Sequence, residues 1–133
     1  MSEAVTERDS DQLKAMVATF FARQLLALST RPGSAIVIDD LPLARIKRIM
    51  KQDACDPMPR RVSANTVPLM AYAAQVFIGL ITQLAWKLST QRAKRNTLQV
   101  KDLKAAVFAT SQLDFLIDTI DMFDQQQENE TKV

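Results

Sequence analysis

Between Val67 and Leu88, apolar residues recur on almost every side of a helix. Val67, Ala71, Ala74, Ile78, Ile81, Ala85 and Leu88 alternate four and three apart, the seam of an amphipathic helix. Leu69, Met70, Tyr72, Val76, Phe77, Leu80, Leu84 and Trp86 fill most of the remaining surface. Polar breaks fall at Gln75, Gly79, Thr82, Gln83 and Lys87. A helix apolar on so many faces must be covered on as many, and the flanking segments are too short to do it. The pattern predicts that a second polypeptide supplies the cover.

Shorter patterns around this segment predict four more helices. The first runs from about Ser10, a suitable cap, to Leu28, with Leu13, Met16, Val17, Phe20, Phe21, Leu25 and Leu28 as its stripe. Arg31, Pro32 and Gly33 end it, and Ile36 to Ile38 form an extended connector closed by Asp39 and Asp40. Pro42 suits the opening turn of the second, Leu43 to about Asp53, which turns Ile46, Ile49 and Met50 inward and Arg45, Lys47, Arg48 and Lys51 outward. A loop over 54–62, held open by Pro57 and Pro59, leads to Ser63 as cap of the long helix, which spans 64–91 and is about 42 Å long. After a basic connection over 92–99, Val100 to about Thr110 buries Leu103, Val107 and Phe108. Leu113 to Phe123 forms the last helix, and residues 1–9 and 124–133 read as disordered polar tails. There is no strand pattern and no repeat, so the class is all-α. The domain layout is an N-terminal helix and connector over 10–40, then one helical unit over 41–123.

Composition narrows the chemistry. With 133 residues and 47% apolar, the chain has material for a single core. The uninterrupted apolar runs fall below the roughly 18 residues of a membrane span, and the acidic first twelve residues do not resemble a signal sequence, so no membrane association is expected. A single cysteine, Cys55, fits a reducing compartment. Histidine is absent, and the two glycines, Gly33 and Gly79, cannot build a phosphate cradle. No catalytic residue, metal site or cofactor is expected, and the chain does not read as an enzyme.

The net charge of +2 conceals a strong division. Residues 1–40 sum to −2, residues 41–104 hold twelve Lys/Arg and three Asp/Glu for +9, and residues 105–133 sum to −5. A concentrated basic field on a compact helical unit marks a polyanion partner, here a nucleic acid.

The order short helix, basic loop, long helix, basic loop, short helix resembles the histone fold. Leu41-Pro42-Leu43-Ala44-Arg45-Ile46-Lys47-Arg48-Ile49-Met50 is similar to the opening helix of the nuclear factor Y gamma-subunit (C-type) family, a histone-fold component of the CCAAT-binding trimer. Ala73 to Ile78, Lys94-Arg95-Asn96-Thr97-Leu98-Gln99 and Asp114-Phe115-Leu116-Ile117-Asp118 resemble that family too, and its members also carry a helix ahead of the fold. The first loop, with Pro57-Met58-Pro59-Arg60-Arg61, looks longer than theirs. The opening decapeptide and second loop are also similar to histone-fold accessory subunits of DNA polymerase epsilon and of chromatin remodellers. A histone-fold corepressor of the basal transcription machinery is similar around Arg45 to Met50.

The resemblance implies a nuclear transcription factor subunit paired as a heterodimer with a second, B-like histone-fold protein. A third, CCAAT-recognising subunit would complete the assembly. Arg45, Arg48, Arg61, Lys94 and Thr97 match positions that contact DNA phosphates, a role suited to cationic forks and a hydroxyl. Arg95 would pair with Asp102 to pin the second loop. Ala74, Phe77, Ile78, Ile81, Ala85 and Trp86 would form the dimer interface. Asp114, Phe115, Asp118 and Asp121 would dock the third subunit's basic helix, with complementary charge steering the approach.

Overall fold

The computed structural model describes residues 7–30, 41–52 and 61–132, apart from the side chains of Arg92 and Ala93. Among the described residues, five α-helices occur in this order: α1 (Glu7–Thr30), α2 (Leu43–Lys51), α3 (Thr66–Ala93), α4 (Val100–Ala109) and α5 (Ile117–Thr131). A 3₁₀ segment, Ser111–Leu116, joins the last two. Among the described residues there is no strand. The Ile36–Ile38 connector, Cys55 and most of the first loop, including Pro57 to Arg60, lie outside the described residues.

The chain divides into two compact units, Met1–Arg23 with Leu80–Val133, and Gln24–Gly79. In the first, the core is drawn from Leu13 and Phe20 of α1, Leu80, Leu84, Ala85 and Leu88 of α3, Ala106 and Val107 of α4, and Leu113. Phe20 and Phe21 meet edge to face with ring centroids 5.8 Å apart, a favoured aromatic geometry. In the second unit, Val67 and Ala71 are buried, and the Tyr72 hydroxyl donates to Gln24 Oε1 at 3.2 Å.

Local signals explain the boundaries. Pro42 sits at the N-cap of α2, where its carbonyl accepts the amide protons of Arg45 and Ile46, each at 3.1 Å. Pro68 is the third residue of α3, inside the first turn, where an amide has no helical partner to lose. Ser63 lies ahead of α3 rather than next to it, and its carbonyl accepts from Thr66 N at 3.1 Å. Ser10 falls inside α1, which opens instead on Glu7 and Asp9, carboxylates placed to favour the positive end of the helix.

Expectations about the burial of six residues, and about the bounds of the last helix, are corrected. Ile49 of α2 is 54% exposed and Phe108 of α4 is 58% exposed, because the described residues cover neither side chain; Ala106 is buried in α4 instead. Phe21, Leu25 and Leu28 are exposed, since the buried side of α1 follows Leu13 and Phe20 and leaves them on a flank. Ala85 is fully buried within its own unit beside the buried Leu84 and Leu88, so it presents no surface to a partner. The helix expected over 113–123 is a 3₁₀ segment followed by α5, which continues to Thr131 across residues that the sequence assigns to a polar tail.

The length of α3 also corrects the membrane argument. By length and composition alone, Thr66–Gln91 is apolar enough to cross a membrane, so the polar breaks at Gln75, Gly79 and Thr82 do not exclude it. Only 22% of the residues in its most apolar stretch are buried, so the helix keeps large apolar side chains such as Leu69, Met70 and Ile78 exposed.

Candidate nucleic-acid interface

The cations singled out by sequence fall into two groups. Arg45, Arg48 and Arg61 belong to the Gln24–Gly79 unit and Lys94 and Thr97 to the other. Arg45 and Arg48 are exposed and three residues apart on α2, which places them on one face of the helix. Arg61 is exposed in the last part of the first loop. Among the described residues, none of these arginines nor Lys94 is paired with a carboxylate. Their guanidinium and ammonium groups therefore face solvent with donors available, the state a phosphate-binding surface requires.

The second loop, residues 94–99, sorts its side chains by the backbone turn at its start. Lys94 has φ of 47°, in the left-handed region that favours glycine. This turn follows directly on the end of α3, the usual place for such a residue. Lys94 and Thr97 are exposed, whereas Arg95 turns inward. Its Nη2 donates to Asp102 Oδ1 at 2.9 Å, and Asp102 Oδ2 accepts the Gln99 amide proton at 2.8 Å. Asp102 is the third residue of α4, so one carboxylate caps that helix, complements its dipole and anchors the loop. Arg95 Nε and Nη1 are buried and find no acceptor among the described residues, which leaves the guanidinium dependent on Asp102.

The left-handed turn separates stability from binding at Lys94. Lys94→Gly is expected to melt no lower than the parent chain, because glycine adopts this backbone without the cost of about 1 kcal/mol borne by other residues. Lys94→Ala keeps that cost. Both should weaken DNA binding to the same extent, which thermal melts and salt titrations of the two variants would test.

At the other end, α5 has two distinct sides. Ile120 and Phe123, with Leu116 ahead of them, line an apolar groove of about 410 Å³ whose other walls are Ile81 of α3 and Val100, Leu103 and Val107 of α4. Asp118 and Asp121 are exposed, and at about 100° per residue they lie on roughly the opposite side of α5. Asp114 and Phe115, in the 3₁₀ segment, are also exposed, Phe115 at 69%. The acidic residues and the groove are thus separate surfaces. Lys104 of α4 bonds Asp124 of α5 and stands 6.0 Å from the Phe123 ring centroid, contacts between residues too far apart in sequence to show in any local pattern.

The proposed dimer residues divide as well. Ile78 is 51% exposed, and Ala74, Phe77 and Ile81 are half-buried, which leaves one stripe of α3 partly uncovered. Trp86 is 40% exposed on a different side, lining a shallow depression with Met16, Thr82, Gln83, Lys87 and Thr90.

Residues 39–107, from just before α2 into the last turns of α4, match the family of histone-like transcription factors (CBF/NF-Y) and archaeal histones. The gamma subunit of human nuclear transcription factor Y is 46% identical over 83 residues, covering 62% of this chain and 17% of the relative. The C-2 form from Arabidopsis thaliana is 45% identical over 80 residues, covering 60% and 38%. The C-2 form from Oryza sativa is 36% identical over 117 residues, covering 88% and 46%. The chain therefore spans less than half the length of these relatives. The matched segment contains the short, long and short helices of a histone fold, and α5 lies beyond it. With its helix order and more than half its length accounted for, the chain belongs to the family of histone-like transcription factors (CBF/NF-Y) and archaeal histones.

Proposed function

We propose that the chain is a non-enzymatic DNA-binding component of a nuclear CCAAT-binding trimer, and that it works as the partner of a B-like histone-fold protein. The observation that carries this reading is that Arg45, Arg48 and Arg61 in one unit and Lys94 in the other are exposed and, among the described residues, without a carboxylate partner, in a segment that matches a transcription factor family. These groups bind the DNA backbone and position the protein without reading bases. The third subunit reads the element in the minor groove. Its basic helix docks on Asp114, Phe115, Asp118 and Asp121. The uncovered stripe of α3 through Ile78 and Ile81 receives the second histone-fold chain, so its apolarity serves a protein interface rather than a membrane. The relatives are named nuclear transcription factors, which supports the nucleus as its site of action.

Fluorescence anisotropy with a CCAAT duplex and a scrambled duplex tests the backbone contacts. Reversing Arg45, Arg48 and Lys94 to glutamate in the heterodimer should weaken binding to both duplexes equally. The salt slope should fall by about three, one for each phosphate contact removed. Unchanged affinity would remove these residues from the interface. A loss confined to the CCAAT duplex would make them base readers.

A further inference from the structure

Arg60-Arg61-Val62-Ser63 puts two arginines three and two residues ahead of a serine hydroxyl, on the approach to α3. Arg60 lies outside the described residues; Arg61 and Ser63 are both exposed, and neither is in a helix. The Ser63 carbonyl accepts from Thr66 N, whereas its Oγ makes no hydrogen bond among the described residues. Other hydroxyls are committed or hidden. Thr19, Ser29, Thr30, Thr90 and Thr131 donate to carbonyls of their own helices, and Ser89 and Thr110 are buried. Thr97 also follows two cations, Lys94 and Arg95, but Arg95 is turned inward on Asp102 and cannot be offered to another protein.

We propose that Ser63 is a phosphorylation site that switches off the DNA contacts of the first loop, and that its kinase is a basophilic serine/threonine kinase whose acidic cleft reads Arg60 and Arg61. Such a cleft takes an extended chain and pairs its arginines with carboxylates, which a hydroxyl inside a helix does not allow. The kinase transfers the γ-phosphoryl group of ATP: a bond forms between Ser63 Oγ and phosphorus, the bond from that phosphorus to the ADP oxygen breaks, and the hydroxyl proton passes to the kinase's catalytic aspartate. The product carries about −1.5 to −2 charges at neutral pH, two residues from Arg61. There it repels DNA phosphates and competes with them for the Arg61 guanidinium, a consequence that rests on the DNA-binding reading above. The same charge lies just ahead of α3, whose first turn holds no acidic residue, so it complements the positive end of that helix. Phosphorylation therefore opposes DNA binding without loosening the fold.

The test treats the heterodimer of the full chain and a B-type histone-fold protein with ATP and the catalytic subunit of cyclic-AMP-dependent protein kinase. Peptide mass spectrometry should find phosphate on Ser63 and none on Thr97, and Arg61→Ala should slow its incorporation about tenfold. The phosphorylated heterodimer should bind the CCAAT and scrambled duplexes about tenfold more weakly at low salt, with a salt slope smaller by about one. Its melting temperature should be no lower than the parent's. Ser63→Ala should bind DNA as the parent does and not respond to the kinase. Duplex bound beforehand should slow phosphorylation, the reciprocal of the same coupling. A heterodimer that takes no phosphate on Ser63 while a control peptide is phosphorylated would overturn the site. Phosphate on Ser63 with affinity unchanged, in a heterodimer that reversal of Arg45, Arg48 and Lys94 does weaken, would overturn the switch. A loss of affinity with a lowered melting temperature would do the same, by showing local unfolding. A parent heterodimer that binds neither duplex would overturn the DNA-binding reading together with the switch, a result distinct from the others.

Discussion

Asp102→Ala should destabilise the heterodimer by about 2–3 kcal/mol, the cost of losing charged hydrogen bonds and a helix cap at a part-buried ion pair. The substitution removes the carboxylate that caps α4 and strands the Arg95 guanidinium, whose Nε and Nη1 already lack acceptors. Arg95→Met is milder, at about 1–2 kcal/mol, because Asp102 keeps its bond to the Gln99 amide and the methionine stem fills the site. The double variant should be more stable than Asp102→Ala alone, since no buried cation is left unpaired. Urea denaturation of the four proteins bound to their histone-fold partner gives the cycle. Equal costs for the two single variants would mean that the loop is not anchored through this carboxylate. DNA affinity should fall with Asp102→Ala as well, because Lys94 and Thr97 sit in the loop that Asp102 restrains.

Much of this architecture is legible in the sequence where packing and local chemistry agree. The long helix, expected over 64–91, occupies 66–93, because a dense apolar pattern bounded by Pro68 and a basic loop leaves little choice of register. The short helix from Val100 falls within a residue of its expected bounds at each end for the same reason. The final helix departs from expectation because α5 buries no residue, so apolar periodicity carries no information there; Gln125 to Glu130 continue it through good helix formers. The burial of Ala85 is hidden because one stripe of α3 serves two neighbours, this chain near Leu84 and Leu88 and an uncovered surface near Ile78. The left-handed turn at Lys94 carries no glycine signal.

Ile78 measures how much of this fold belongs to the partner. Ile78, Leu69 and Met70 are 51%, 56% and 44% exposed on a helix whose apolar stretch is mostly unburied. Covering the half of each of these side chains that is still exposed contributes about 0.7–1.5 kcal/mol, part of which offsets the cost of association. The chain alone should therefore melt broadly or aggregate. Partner at a hundred times its dissociation constant should add about 2.7 kcal/mol, raising the melting temperature by roughly 10 °C. The rise should grow with partner concentration, as expected where folding and association are linked. Ile78→Asp separates this account from ordinary core loss. The side chain is already half in water, so circular dichroism of the lone chain should change little. Burying an aspartate in the dimer leaves a charge without a partner, and the dissociation constant should rise about a hundredfold or more. A lone chain with a sharp, concentration-independent melt would show that α3 needs no second polypeptide. A heterodimer unaffected by Ile78→Asp would place the interface on another side of that helix.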